Sequence, residues 1–344
     1  MKPLLLYYKF QAIMLKSTEP KYSYGDIFIK PAVLSDVKHR IECHAYTSEG
    51  SLPIFTAPMD TVVGKNSFNI WKENKIIPIY PRTISYSERI RFMENGDWTS
   101  FGLDEFVQLT TSYNKELKGK ILIEMANGHL EDLYKIAGEA KEKFPNLTLM
   151  VGNIGNAETY NIACDCEIDY IRLGIGGGSG CITATQTGIH YPMASLIHEA
   201  ASRKMMRLQG FRTKIIADGG IRSYKDICVA LALGADYVMI GGLLCGLKES
   251  EAPIIENEDG SLSKKFYGMA SREGQTAMYG SKIKTVEGKS KLVPITGTIS
   301  GWVENATDYI RSMMSYIGAK NLEEIYEKAE CIIGSQDTLN RINK

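Results

Sequence analysis

The 344-residue chain has no excess of charge of either sign: Lys plus Arg and Asp plus Glu each number 40, so the formal net charge is zero. No basic face is on offer to a nucleic-acid backbone, and an anionic ligand has to be held by local geometry. No apolar run is long enough to span a bilayer. The opening stretch, MKPLLLYYKFQAIML, has an early lysine and a short apolar run but no small-residue cleavage pattern, so a cytoplasmic location is expected. The seven cysteines (43, 164, 166, 181, 228, 245 and 331) are an odd set without Cys-x-x-Cys spacing, which argues against zinc and for reduced thiols. Histidine is scarce, with five at 39, 44, 129, 190 and 198. They show neither metal-ligand spacing nor a cysteine-protease arrangement, and His129 and His190 are expected at the surface or as caps. The Gly-x-Gly-x-x-Gly dinucleotide fingerprint after a first strand is also missing.

What is present is alternation. From about residue 50, short β-branched runs alternate with stretches of helical periodicity, the pattern of βα units around a parallel sheet. Eight runs stand out, at 54–57, 76–80, 106–110, 121–125, 147–151, 170–174, 214–217 and 237–240. Stretches 130–144 and 227–233 carry apolar residues at three and four spacing, with charges opposite, and are expected as helices. The fold class is therefore α/β, a (β/α)8 TIM barrel. Asp60, Asn127, Asn153, 174–181, 218–220, Gly241 and Gly242 all fall at or just past strand ends, which in a barrel is the catalytic face.

Two features carry chemistry. Asp218-Gly219-Gly220 follows the seventh run and Gly241-Gly242 the eighth, the usual place for a barrel phosphate site, since glycine lets backbone N–H groups approach an anion. A lone Gly-Gly is more often a tight turn; it is the pair in these positions that favours phosphate. After the sixth run comes GIGGGSGCIT (174–183), which exposes backbone groups around Cys181, Ser179 and Thr183. Most cysteines pack as small apolar residues, but one on such a loop presents an accessible thiolate and becomes the candidate nucleophile.

Taken together, TAPMDTV (56–62), ANGH (126–129), VGNIG (151–155), GIGGGSGCIT (174–183), ADGGI (217–221) and FYGMAS (266–271) resemble the inosine monophosphate dehydrogenase and guanosine monophosphate reductase superfamily. The resemblance runs over about 22–335 as one catalytic barrel with C-terminal helices and without inserted regulatory CBS modules, leaving 1–21 as an N-terminal extension and 336–344 as a tail. It implies that Cys181 attacks C2 of a purine nucleoside monophosphate while a nicotinamide cofactor gives or takes hydride there. It further implies that Ser179, Gly220, Gly241, Gly242 and Tyr267 contact the phosphate and that Asp218 binds the ribose hydroxyls. Met269 and Ser271 would lie near the base, Gly219, Gly268 and Gly288 would also belong to the substrate site, and Asn127, Gly152 and Asn153 to the cofactor site. A potassium ion on the carbonyls of Gly176, Gly178 and Cys181, and a homotetramer, are further implications.

Within that superfamily the pattern is similar to the reductases. The dehydrogenases activate water with an Arg-Tyr pair on a long flap, and no Arg-Tyr dipeptide occurs here. Glu287-Gly288-Lys289, followed by Val293-Pro294 and Gly297, resembles the reductase segment whose glutamate works beside the loop threonine, here Thr183. The expected reaction is NADPH-dependent deamination of GMP to IMP and ammonia, with Cys181, Thr183 and Glu287 catalytic. Tyr80-Pro81-Arg82-Thr83 stands where the family usually has His-Lys, Glu124 where it has Asp, and Gly177 where reductases commonly have proline. A deoxy or modified guanine nucleotide, IMP oxidation with NAD, and a nucleotide-binding protein without catalysis therefore stay open as alternatives.

Overall fold

Short runs of apolar residues pair as strands wherever both faces can be covered, and this governs the computed structural model, which describes residues 19–113, 116–207, 210, 212–281 and 285–342. Most of the expected N-terminal extension and the last two residues of the tail lie outside the described residues. The strands are β1 (Ile27–Lys30), β2 (Ile54–Thr56), β3 (Trp98–Phe101), β4 (Gly119–Glu124), β5 (Leu147–Ile154), β6 (Tyr170–Leu173), β7 (Lys214–Asp218), β8 (Tyr237–Ile240), β9 (Ile254–Glu256), β10 (Leu262–Tyr267), β11 (Ser290–Pro294) and β12 (Glu330–Ile333). Among them β2-β8-β7-β6-β5-β4-β3 form a sheet, in that order, with every neighbouring pair parallel.

Residues 76–80 join the two ends of this sheet. Ile77 exchanges hydrogen bonds with Ile54 and Thr56 (2.9 and 3.0 Å), and Tyr80 with Trp98 and Ser100 (2.9 and 3.0 Å). The expected (β/α)8 barrel is formed, with its second strand reduced to two single-residue bridges. Pro78 and Pro81 explain the reduction, because proline brings no N–H to a ladder.

One expected strand is a helix. Residues 106–110 lie inside Leu103–Ser112, and the third barrel strand is β3 instead. The β-branched content of 106–110 suggested a strand, but Phe106 and Leu109 bury one helical turn apart, and Asp104 and Glu105 stand in the first turn, where acidic groups favour a helix N-terminus. Stretches 130–144 and 227–233 are helical as expected, apart from their end residues Leu130, Phe144 and Leu233, which cap the helices Glu131–Lys143 and Tyr224–Ala232.

Inside the barrel, Phe55, Trp98, Tyr170 and Tyr237 pack edge-on or tilted with centroids 5.2–6.1 Å apart. Trp98, Tyr170 and Tyr237 are each the first residue of a strand, so the aromatic plug fills the N-terminal end and leaves the C-terminal end for ligands. Outside the barrel, β1 pairs antiparallel with β12, joining residues 27–30 to residues 330–333, and β9, β10 and β11 make a small antiparallel sheet. Among the described residues no helix is long and apolar enough to cross a membrane.

Candidate active site

Because all barrel strands run the same way, the residues just past their C-terminal ends converge. They line one cavity of about 350 Å3, to which Met59 comes after β2, Ala126 after β4, Gly174 to Cys181 after β6, Gly219 and Gly220 after β7, and Gly241 and Gly242 after β8.

Two glycines with positive φ, Gly174 (+127°) and Gly176 (+76°), fold the segment after β6 back over the barrel mouth. A Cβ at Gly174 would collide with the Asp218 carbonyl, so the turn lies directly on the end of β7. It brings Cys181 to the cavity wall, where its thiol donates to Thr183 Oγ1 at 3.2 Å and the Thr183 hydroxyl donates to Glu287 Oε2 at 2.7 Å. No other cysteine lines this cavity. Burial pushes the thiols of Cys228 and Cys245 up to about 12 and that of Cys331 to about 11, so these three stay protonated and inert near neutral pH.

Glu287 is held from both sides. Ile182 donates its N–H to the Glu287 carbonyl and Lys289 its N–H to the Gly180 carbonyl, both at 2.9 Å. On the other side, Glu287 donates to the Ala270 carbonyl at 3.1 Å and Gly268 to the Lys289 carbonyl at 3.2 Å. Gly288 permits this sandwich, since a Cβ there would run into the Ser271 backbone. A carboxylate 104 residues from Thr183 is thereby fixed beside it.

At the opposite wall the backbone stands bare. Gly219 and Gly220 have φ of +98° and +79°, and Gly242 sits against Ser179 so closely that a Cβ would strike its Oγ. Asp218 lines the cavity with a carboxylate whose Oδ2 accepts from Asn153 Nδ2 at 2.7 Å and Arg172 Nη2 at 2.8 Å.

Of the residues picked out from the sequence, the cavity is lined by Cys181, Thr183, Glu287, Ser179, Asp218, Gly219, Gly220, Gly241, Gly242, Gly268, Met269, Asn153, Gly176 and Gly178. Others stand back from it. The Tyr267 hydroxyl donates to Asp60 Oδ2 at 2.8 Å, and Asp60 is a carboxyl that burial raises against the opposing pull of that bond. Ser271 is buried as the cap of helix Arg272–Tyr279, accepting from Gly274 N–H at 3.1 Å. Gly288 faces Cys181 through its backbone bridge. Asn127 Oδ1 accepts from His129 N–H at 3.1 Å, and Gly152 lies within β5, where a Cβ would meet that of Arg172. His129 is a strap, accepting from Gly155 N–H at 2.9 Å, and His190 contacts the Ile175 carbonyl at 2.8 Å. Neither histidine lines the cavity.

The cavity also has members that sequence reasoning assigned no role: Arg172, Glu124 and Thr285. Arg172 is 5% exposed, and its Nε and Nη1 have no hydrogen-bond partner among the described residues. Glu124 lies 3.7 Å from Nη1, and burial raises its carboxyl despite Arg172 and Arg82 nearby. A signal for Arg172 did exist, a guanidinium in a strand whose every position is buried. Arg82 itself pairs with Glu105 at 3.4 Å and does not line the cavity.

Comparison with known proteins places the chain in a family. A family model described as "IMP dehydrogenase / GMP reductase domain" matches residues 111–341. A GMP reductase of Caenorhabditis elegans is 29% identical over 341 residues, covering 93% of this chain and 94% of that protein. One from Klebsiella pneumoniae is likewise 29% identical, covering 94% and 97%. One from Phytophthora infestans is 36% identical over 224 residues, covering 64% and 60%.

Proposed function

The chain belongs to the IMP dehydrogenase / GMP reductase family, and from that premise we propose that it is a reductase that converts GMP to IMP and ammonia at the expense of NADPH. The observation that carries this reading is the hydrogen-bonded series Cys181–Thr183–Glu287, with steps of 3.2 and 2.7 Å. A nucleophile alone serves either direction of the family's chemistry. A carboxylate fixed one hydroxyl away from it suits the departure of an amine, which needs a proton delivered beside the carbon that the sulfur attacks.

The phosphate fits the bare backbone at Gly219, Gly220, Gly241 and Gly242 with the Ser179 hydroxyl, and the ribose hydroxyls fit Asp218. Cys181 Sγ bonds to C2 of the guanine as its proton passes through Thr183 toward Glu287. Glu287 returns a proton by the same route to the 2-amino group, the C2–N2 bond breaks, and ammonia leaves. The nicotinamide cofactor, when bound, supplies hydride to C2. Rupture of the C2–S bond then releases IMP and frees Cys181, so that GMP, NADPH and one proton give IMP, NADP+ and ammonia.

Arg172 and Glu124 fit the cofactor. The orphaned Nη1–H and the carboxylate 3.7 Å away offer a donor and an acceptor side by side, the complement of a carboxamide. Of the residues expected for this purpose from the sequence, Asn153 alone lines the cavity. A potassium ion would be held by the carbonyls of Gly176, Gly178 and Cys181, of which that of Gly178 already accepts the Cys181 N–H at 3.0 Å.

Purified protein given GMP and NADPH is expected to consume the cofactor and form IMP and ammonia in equal amounts. Oxidation of IMP to XMP with NAD, without reduction of GMP, would assign the opposite reaction.

A further inference from the structure

We infer that Arg172 and Asn153 are positioning residues that commit half of the Asp218 carboxylate, and thereby make this site select a ribonucleotide over its 2′-deoxy counterpart. This rests on the reading of Asp218 as the sugar-binding group.

A carboxylate offers about two acceptor directions on each oxygen. On Asp218, Oδ2 has both filled, by Asn153 Nδ2 at 2.7 Å and Arg172 Nη2 at 2.8 Å. Oδ1 accepts nothing among the described residues, on a side chain that lines the cavity and is 14% exposed. The two vacant directions therefore sit on one oxygen, matched to the two hydroxyl donors of a vicinal diol.

Neither donor is free to swing away. The Asn153 amide is fixed by a second bond from Nδ2 to the Gly174 carbonyl at 2.9 Å, which also joins it to the root of the Cys181 loop. Arg172 rises from a fully buried strand and lies between Asp218 and Glu124. With both donors rigid, Asp218 cannot rotate to satisfy Oδ1 by itself. A sugar with one hydroxyl leaves a desolvated acceptor direction unpaired, which is the condition under which a polar site rejects an analogue that lacks a hydroxyl.

The test compares GMP with 2′-deoxy-GMP by kcat/KM and, independently of turnover, by calorimetric affinity. Wild-type protein is expected to prefer GMP by about tenfold to a hundredfold. In Arg172→Met and in Asn153→Ala, Asp218 regains a free rotamer and the ratio is expected to fall toward one, with the KM for GMP rising. Arg172→Lys, which keeps one donor, is expected to restore part of the ratio. The ratio does not depend on the fraction of protein that is folded, and Asn153→Ala carries the test if Arg172→Met does not fold. Equal preference in the wild type, or an unchanged ratio in folded variants, overturns the inference. If the wild type binds GMP but reduces none, the reductase reading fails while the affinity ratio still decides the sugar clamp.

Discussion

In the proposed reaction Cys181, Thr183 and Glu287 would make different contributions, so their removal is expected to read differently. If the proposed mechanism holds, Cys181→Ala removes the bond-forming atom and is expected to lower turnover by about a thousandfold or more, with GMP still bound in calorimetry. Glu287→Gln keeps the shape and the hydrogen bond from Thr183 but not the proton carrier, and about a hundredfold loss in kcat with little change in KM is expected. Gly242→Ala tests the phosphate wall. Its Cβ would strike Ser179 Oγ, so Ser179 must shift, and KM for GMP is expected to rise about tenfold, equivalent to ~1.4 kcal/mol, while kcat holds. At this scale the sequence displayed what was locally odd: a cysteine among glycines, and paired glycines past strand ends. It did not display Arg172 as a wall of the site, nor the Asp60 partner that draws the Tyr267 hydroxyl away from the cavity across 207 residues.

Helix Leu103–Ser112 is held at its start by charge. Arg89, 2% exposed, donates to both Glu105 oxygens at 2.5 and 3.1 Å, and Gly102 N–H donates to Glu105 at 2.7 Å. Burial alone would push the Glu105 carboxyl up, but Arg89, the Gly102 N–H and Arg82 together hold it below its ordinary 4.5. A carboxylate lowered in the folded state contributes stability that is present above its unfolded value and is lost as pH falls through the folded one. Glu105→Gln is therefore expected to cost about 1–3 kcal/mol at pH 7. Its deficit relative to wild type should narrow as pH falls below the ordinary 4.5 and through the lowered folded value, as read by denaturant midpoints at neutral and acid pH. The same helix shows why residues 106–110 mislead: β-branched residues over so short a span are compatible with either element, and the deciding facts, the burial of Phe106 and Leu109 and the reach of Arg89 to Glu105, are tertiary. Residues 76–80 mislead less. Their apolar character correctly marks a barrel position, while Pro78 and Pro81 limit it to bridges.

Across the whole molecule, stability and chemistry sit at opposite ends of one barrel. Trp98 packs against Phe55 and Tyr170 at 5.6 and 5.3 Å within the N-terminal plug. Trp98→Ala is expected to cost about 3–5 kcal/mol and to lower the unfolding temperature, with KM for GMP unchanged in protein that remains folded. The sequence by itself determined the alternation that makes a (β/α)8 barrel and the face on which its loops carry chemistry. It also marked most of the glycines and the cysteine that furnish those loops, because these follow from short-range periodicity and from what a backbone can do without a Cβ. The resemblance set Glu287 beside Thr183 as an expectation, but only the tertiary structure decided how Glu287 reaches it and that Arg172 and Asn153 share an oxygen of Asp218. These are contacts between residues 46 to 104 positions apart. They depend on where closing the barrel brings separate strand ends, which no local pattern encodes.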